Sequence, residues 1–118
     1  MIQERFTDRA FLIAALESRF VSADLLDRLA NSPDLGIELQ VARNPNSRSE
    51  TLTRLYRTCS YPPYLHQALA AHSNTPPDIL REIYSARRQF EVGYVETWLA
   101  RNPATPKDTL DDIARHGQ

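Results

Sequence analysis

The stretch "LARNPATPKDTLDDIAR", Leu99 to Arg115, decides the fold, because the chain writes it twice more in altered form. "VARNPNSRSETLTRLYR" begins at Val41 and "LAAHSNTPPDILREIYS" at Leu69. Their shared acidic residue aligns Glu50, Asp78 and Asp108, with a fainter copy upstream at Asp24. Successive offsets are 26, 28 and 30 residues. A period of this size marks a stacked-repeat architecture, in which one copy cannot bury its apolar face alone.

The second half of each copy has helical spacing. Two residues after the acid stands Leu26, Leu52, Leu80 or Leu110. Three further on stands Leu29, Leu55, Ile83 or Ile113, followed by Ala30, Tyr56, Tyr84 or Ala114. That i, i+3, i+4 pattern is one apolar helix face. Ser47, Thr75 and Thr105 each precede the acid by three residues, the spacing of a capping box. The expectation is that each hydroxyl accepts from a first-turn N–H. Pro76 and Pro106 then fall at the first helical position, where a missing N–H costs nothing.

The first half of each copy predicts a partner helix. Its apolar face runs Phe11, Ala14, Ala15; then Ile37, Val41; then Leu65, Ala68, Leu69; then Val95, Trp98, Leu99. The next position holds Leu16, Ala42, Ala70 or Ala100, and the alanines predict close packing. Asn44-Pro45 and Asn102-Pro103 then stop the helix, since the residue before a proline disfavours helical geometry and Asn tolerates turns. His72-Ser73 fills that place in the third copy and Ser18-Arg19 in the first, which reads as a degenerate N-terminal unit.

On these residues the chain resembles the leucine-rich repeat variant family, from about Asp8 to His116 and most clearly after Val41. The resemblance implies an all-α, right-handed α-solenoid with alternating helix types, one of them tightened to i→i+3 bonding. It implies no activity. Here that means about four two-helix repeats of period 26 to 30 in one domain spanning 1–118. The units fall near 8–32, 33–58, 61–86 and 88–116. The overall shape is similar to HEAT and armadillo arrays, whose units are longer. The longest joint, "SARRQFEVGY" from Ser85 to Tyr94, leaves room for a fully α-helical element. Some family members carry a cysteine-rich iron–sulfur segment. Cys59 is the sole cysteine here, so neither that cofactor nor an internal disulfide is expected.

Composition narrows the function classes. Of 118 residues, 42% are hydrophobic and 25% charged, ordinary for a globular domain. No run approaches the roughly 18 apolar residues of a membrane span. The start, "MIQERFTDRAF", does not read as a secretion signal, so a cytoplasmic protein is expected. His66, His72 and His116 have no companion ligand at metal-site spacing, and His72 occupies the Asn44/Asn102 position, a joint role. Glycines at 36, 93 and 117 make no phosphate loop. The repeated acids are explained as caps rather than as a carboxylate pair. A non-enzyme without cofactor is the expectation.

What remains is surface. Tyr64 and Tyr94 share an aligned position, and Trp98 lies four residues beyond Tyr94 on the same helix side. Tyr and Trp are enriched in binding hot spots. Tyr64, Tyr94 and Trp98, flanked by Arg87 and Arg88, form the candidate partner-binding patch; the competing reading packs them in the core. An unidentified protein is the expected partner, and homodimerisation through the solenoid ends is a further expectation. The alternative is a nucleic-acid-binding array that uses Arg43, Arg48, Arg54 and Arg57 on phosphates. Net charge of −1 disfavours it, since phosphate binding draws on a basic excess. Thirteen Arg against the single Lys107 fits bidentate interface contacts or a base-composition bias. A part in a larger enzyme assembly is a third expectation.

Overall fold

The computed structural model describes residues 20–32, 34–58, 62–87 and 95–116, together with Ala15. It is all-helical: seven α-helices and no strand among the described residues. They are α1 (Ala23–Leu29), α2 (Leu35–Arg43), α3 (Ser49–Thr58), α4 (Pro62–Ala71), α5 (Pro77–Ala86), α6 (Val95–Arg101) and α7 (Lys107–His116). The 3₁₀ type implied by the family resemblance does not occur among these residues. The expected first helix of the first copy falls outside them, apart from Ala15, which is helical. Tyr94, Arg88, Cys59 and most of the long joint also lie outside.

The helices form two rows. In one, α2 packs on α4 and α4 on α6. In the other, α3 sits against both α2 and α4, and α5 against both α4 and α6. α1 leans on α2, and α7 on α6. The extents are 56 × 25 × 19 Å.

The core is the set of positions that recur between copies. Leu26, Leu52 and Leu80 are wholly buried, as are Leu55 and Ile83 one turn on. Val41, Leu69 and Leu99 are equally buried from the opposite row. Ala42 and Ala70 are fully buried where rows meet, whereas Ala100, in the last described pair of helices, is exposed. The same end effect leaves Leu110 and Ile113 only half-buried. Burial of a leucine-sized side chain contributes about 2 kcal/mol. These equivalent positions therefore bind helix to helix along the whole array.

The joints correct the capping expectation. The hydroxyls of Ser47, Thr75 and Thr105 do not cap the helix that follows. Each donates backward, to the carbonyls of Val41 (2.6 Å), Leu69 (2.7 Å) and Leu99 (2.7 Å). They thus add a hydrogen bond to late carbonyls of the preceding helix, of which those of Leu69 and Leu99 also accept from the N–H groups of His72 (3.1 Å) and Asn102 (3.2 Å). The register of the next helix moves by one residue as a result. Pro76 is the extended N-cap of α5 (φ −60°, ψ 148°), and Pro77 takes the first helical position. In the first copy Ser22 stands at the equivalent of Pro76 and is a true N-cap, accepting from Leu25 N–H at 3.1 Å. Glu50, Asp78 and Asp108 lie exposed in first turns, where they suit the positive end of the helix dipole.

Candidate functional site

The joints explain how the surface is held. At Asn44 the side-chain Oδ1 accepts from Asn46 N–H at 2.9 Å, an Asx turn that ends α2. Asn102 repeats it with Ala104 N–H at 2.9 Å. His72 does the same with its ring: Nδ1 accepts from Asn74 N–H at 3.0 Å. The other side of the Asn102 and His72 groups reaches the previous joint. Asn102 Nδ2 donates to the carbonyls of Ala70 and His72, both at 2.8 Å. His72 Nε2 lies 2.7 Å from the Asn44 carbonyl. Asn74 N–H can only donate and Asn44 C=O can only accept. The ring is therefore neutral with its proton on Nε2, the isofunctional replacement of an Asn amide. Burial holds its pKa below the ordinary histidine value, with the Asn44 carbonyl opposing. Asn46 and Asn74 add rungs to the carbonyls of Val21 (2.8 Å) and Ser47 (3.0 Å).

The row of α1, α3, α5 and α7 is stitched by charge. Asp27 accepts from Thr51 Oγ1 at 2.6 Å and pairs with Arg54 at 2.9 Å. Those hydrogen bonds, Thr51 first, hold its carboxyl below the usual range. Arg48 pairs with Asp24 at 3.0 Å. Arg57 grips Glu82 with two parallel bonds of 3.0 Å, the fork geometry suited to Arg. Arg81 bridges Asp78 and Asp108. Tyr84 donates its hydroxyl to Asp112. Burial, and then this bond, raise its pKa above the ordinary tyrosine value.

The row of α2, α4 and α6 is different. A groove of about 340 Å³ crosses all three helices. On one side stand Leu39 and Arg43 of α2. The floor is α4, with Gln67, Ala68 and Ala71, and Tyr64 also lines the groove. Trp98 of α6 closes the far side. Tyr64 is 55% exposed, unusually open for its size. Trp98 is half-buried against the core, and the guanidinium of Arg101 lies 5.8 Å from its ring centroid.

The sequence-predicted residues divide accordingly. Tyr64 and Trp98 meet in one groove. Arg87 does not join them: its side chain is 14% exposed, it lies 3.7 Å over the Tyr84 ring, and it pairs with Glu96 at 3.7 Å. The four arginines of the phosphate alternative are split. Arg48, Arg54 and Arg57 engage acids beside the other row, and Arg43 lines the groove alone. Ala71, Gln67 and Arg101 were not singled out from sequence. A usable signal for Arg43 and Arg101 was present in "ARNP", written at both Ala42 and Ala100. Among the described residues no group of three His, Cys, Asp or Glu could hold a metal ion. No described helix is long and apolar enough to cross a membrane.

No family model matches this sequence, and comparison with curated proteins and with solved structures gives no significant match either.

Proposed function

We propose that the chain is a non-catalytic protein-interaction module, a right-handed α-solenoid of the leucine-rich repeat variant kind. The groove over α2, α4 and α6 is its docking surface. The observation that carries the reading is that Tyr64 of α4 and Trp98 of α6 line one groove with the small residues Ala68 and Ala71. Large aromatic side chains beside small residues form the kind of pocket in which binding hot spots concentrate. Joint-to-joint hydrogen bonds hold this row in one arrangement. Little ordering entropy is then lost when a partner docks. The nucleic-acid alternative draws less support, since three of its four arginines already satisfy carboxylates of the protein itself.

The test is affinity capture from source-cell lysate with the native protein and with Tyr64→Ala. That position is exposed enough to change without harm to the core. A protein retained by the native form and lost from the variant is the expected result. Equal retention by both forms removes the groove as the docking surface. Enrichment of nucleic acid alone removes the protein-module reading.

A further inference from the structure

We infer that the groove's occupant is an extended, acidic peptide segment that carries two carboxylates about six residues apart. This rests on the docking reading above and names the chemistry of its partner. Three observations carry it.

The first is charge segregation between the rows. The exposed formal charges of α2, α4 and α6 are Arg43 and Arg101, both positive. The carboxylates of these helices are withdrawn: Glu38 is 2% exposed, and Glu96 pairs with Arg87. Asp24, Asp27, Asp78, Glu82, Asp108 and Asp112 all lie on the opposite row, in contact with Arg or Tyr. Among the described residues neither Arg43 nor Arg101 pairs with a carboxylate. An acidic ligand thus meets Arg43 in the groove lining and Arg101 beside Trp98, and the one partly exposed carboxylate of these three helices, Glu96 at 32%, is held by Arg87.

The second is size. The groove, about 340 Å³, has the small residues Ala68 and Ala71 along its floor, which leave room for a row of side chains from an extended strand. Gln67 on the floor offers an amide donor and acceptor together, the pair that the backbone C=O and N–H of an extended segment require.

The third is span. Arg43 and Arg101 occupy the same place in their copies, each immediately before its Asn-Pro, and α4 lies between them with Ala71 at the equivalent site. Packed helices lie about 8 to 10 Å apart, so the arginines are separated by roughly 16 to 20 Å. An extended peptide advances about 3.3 Å per residue, which sets the carboxylates five to six residues apart. Arginine at both ends selects carboxylates through bidentate bonds.

The experiment is selection of a displayed random dodecamer library on the native protein, with counter-selection on Ala71→Trp, which fills the groove from an exposed position. Tyr64→Ala is the second groove variant, and circular dichroism confirms that both keep the helical fold. Groove-dependent peptides are expected to carry two Asp or Glu five to seven residues apart. Anisotropy with the labelled winner should show at least tenfold weaker binding after exchange of both acids for amides. The double charge reversal Arg43→Glu/Arg101→Glu should weaken it as much. Groove-dependent peptides that are neutral or basic overturn the acidic inference and leave the docking surface standing. Peptides that bind the native and groove-filled forms alike overturn both.

Discussion

The two helix rows solve the same assembly problem by different means. Along α1, α3, α5 and α7, neighbouring copies are joined by carboxylate–guanidinium pairs at the solvent edge. Arg57–Glu82, with side chains 55% and 41% exposed, is typical. Along α2, α4 and α6 the contacts are alanine and leucine packing, closed at the helix ends by buried amide and imidazole rungs. Charge spent on neighbours is not offered to a ligand. The row that assembles mainly by apolar packing keeps an open aromatic surface and two arginines that pair with no carboxylate among the described residues. One row spends its charge on the fold, and the other carries the docking surface we propose.

The largest test of this contrast is Leu69→Ala. Leu69 is fully buried on α4, the helix that touches both neighbours in its row. Removing it should cost about 2 to 5 kcal/mol, read by urea denaturation. A loss below about 1 kcal/mol, well under the usual range for such a truncation, would mean that the charged row alone holds the copies together.

Next comes His72. Replacement by Ala strands the Asn74 N–H and the Asn44 carbonyl and should cost about 1 to 3 kcal/mol. Replacement by Asn should restore most of it, because the amide presents the same acceptor and donor. The pH dependence then separates the two residues. His72 and His66 both have folded pKa values held down by burial. The unfolded state therefore binds protons first as pH falls. Stability is fully present above about 6.5 and declines as pH falls from there toward the folded values. His72→Asn should flatten that decline. An unchanged acid slope would show that the ring is not the proton-sensitive rung.

Smallest are the edge pairs. Arg57→Ala should leave the melting temperature unchanged within error, since exposed ion pairs contribute little. Tyr64→Ala should be equally silent in stability while abolishing docking. A clear destabilisation by Arg57→Ala would reverse the ranking of the two rows.

The sequence made the periodic parts of this picture legible, and the limits have physical causes. Leucine positions after the acid could be read because one face repeats at helical spacing in every copy. The hydroxyls could not be read correctly, because Ser or Thr at a helix boundary can serve either helix. Direction depends on a one-residue register. Thr75-Pro76-Pro77 held the answer: Pro77 forces Pro76 out of helical geometry, so the helix starts one residue later than a capping box requires. Tyr64 and Trp98 could be put in one patch through Tyr94, which the repeat aligns with Tyr64 and helical spacing sets on the side of Trp98. Arg43 was grouped with Arg48, Arg54 and Arg57 because nearness in sequence stood in for nearness in space. The Asn44 joint lies between Arg43 and the rest and turns α3 onto the other row.

The rungs between joints also have a direction. Asn46 donates to Val21, His72 to Asn44, Asn74 to Ser47, and Asn102 to Ala70 and His72. In every one of these the donor lies later in the sequence than its acceptor. These amide and imidazole rungs are thus vectorial, while the exposed Ser49 hydroxyl donates forward to the Asn74 carbonyl at 2.7 Å: a copy emerging during synthesis meets a preceding joint whose carbonyls are already in place. At the joints, trimming from the carboxyl side uncovers these carbonyls and the exposed Ser49 hydroxyl, which water accommodates readily. Trimming from the amino side orphans N–H donors, the costlier group to leave unmatched. The two directions of shortening are not equivalent, and thermal melts of paired truncations would rank them.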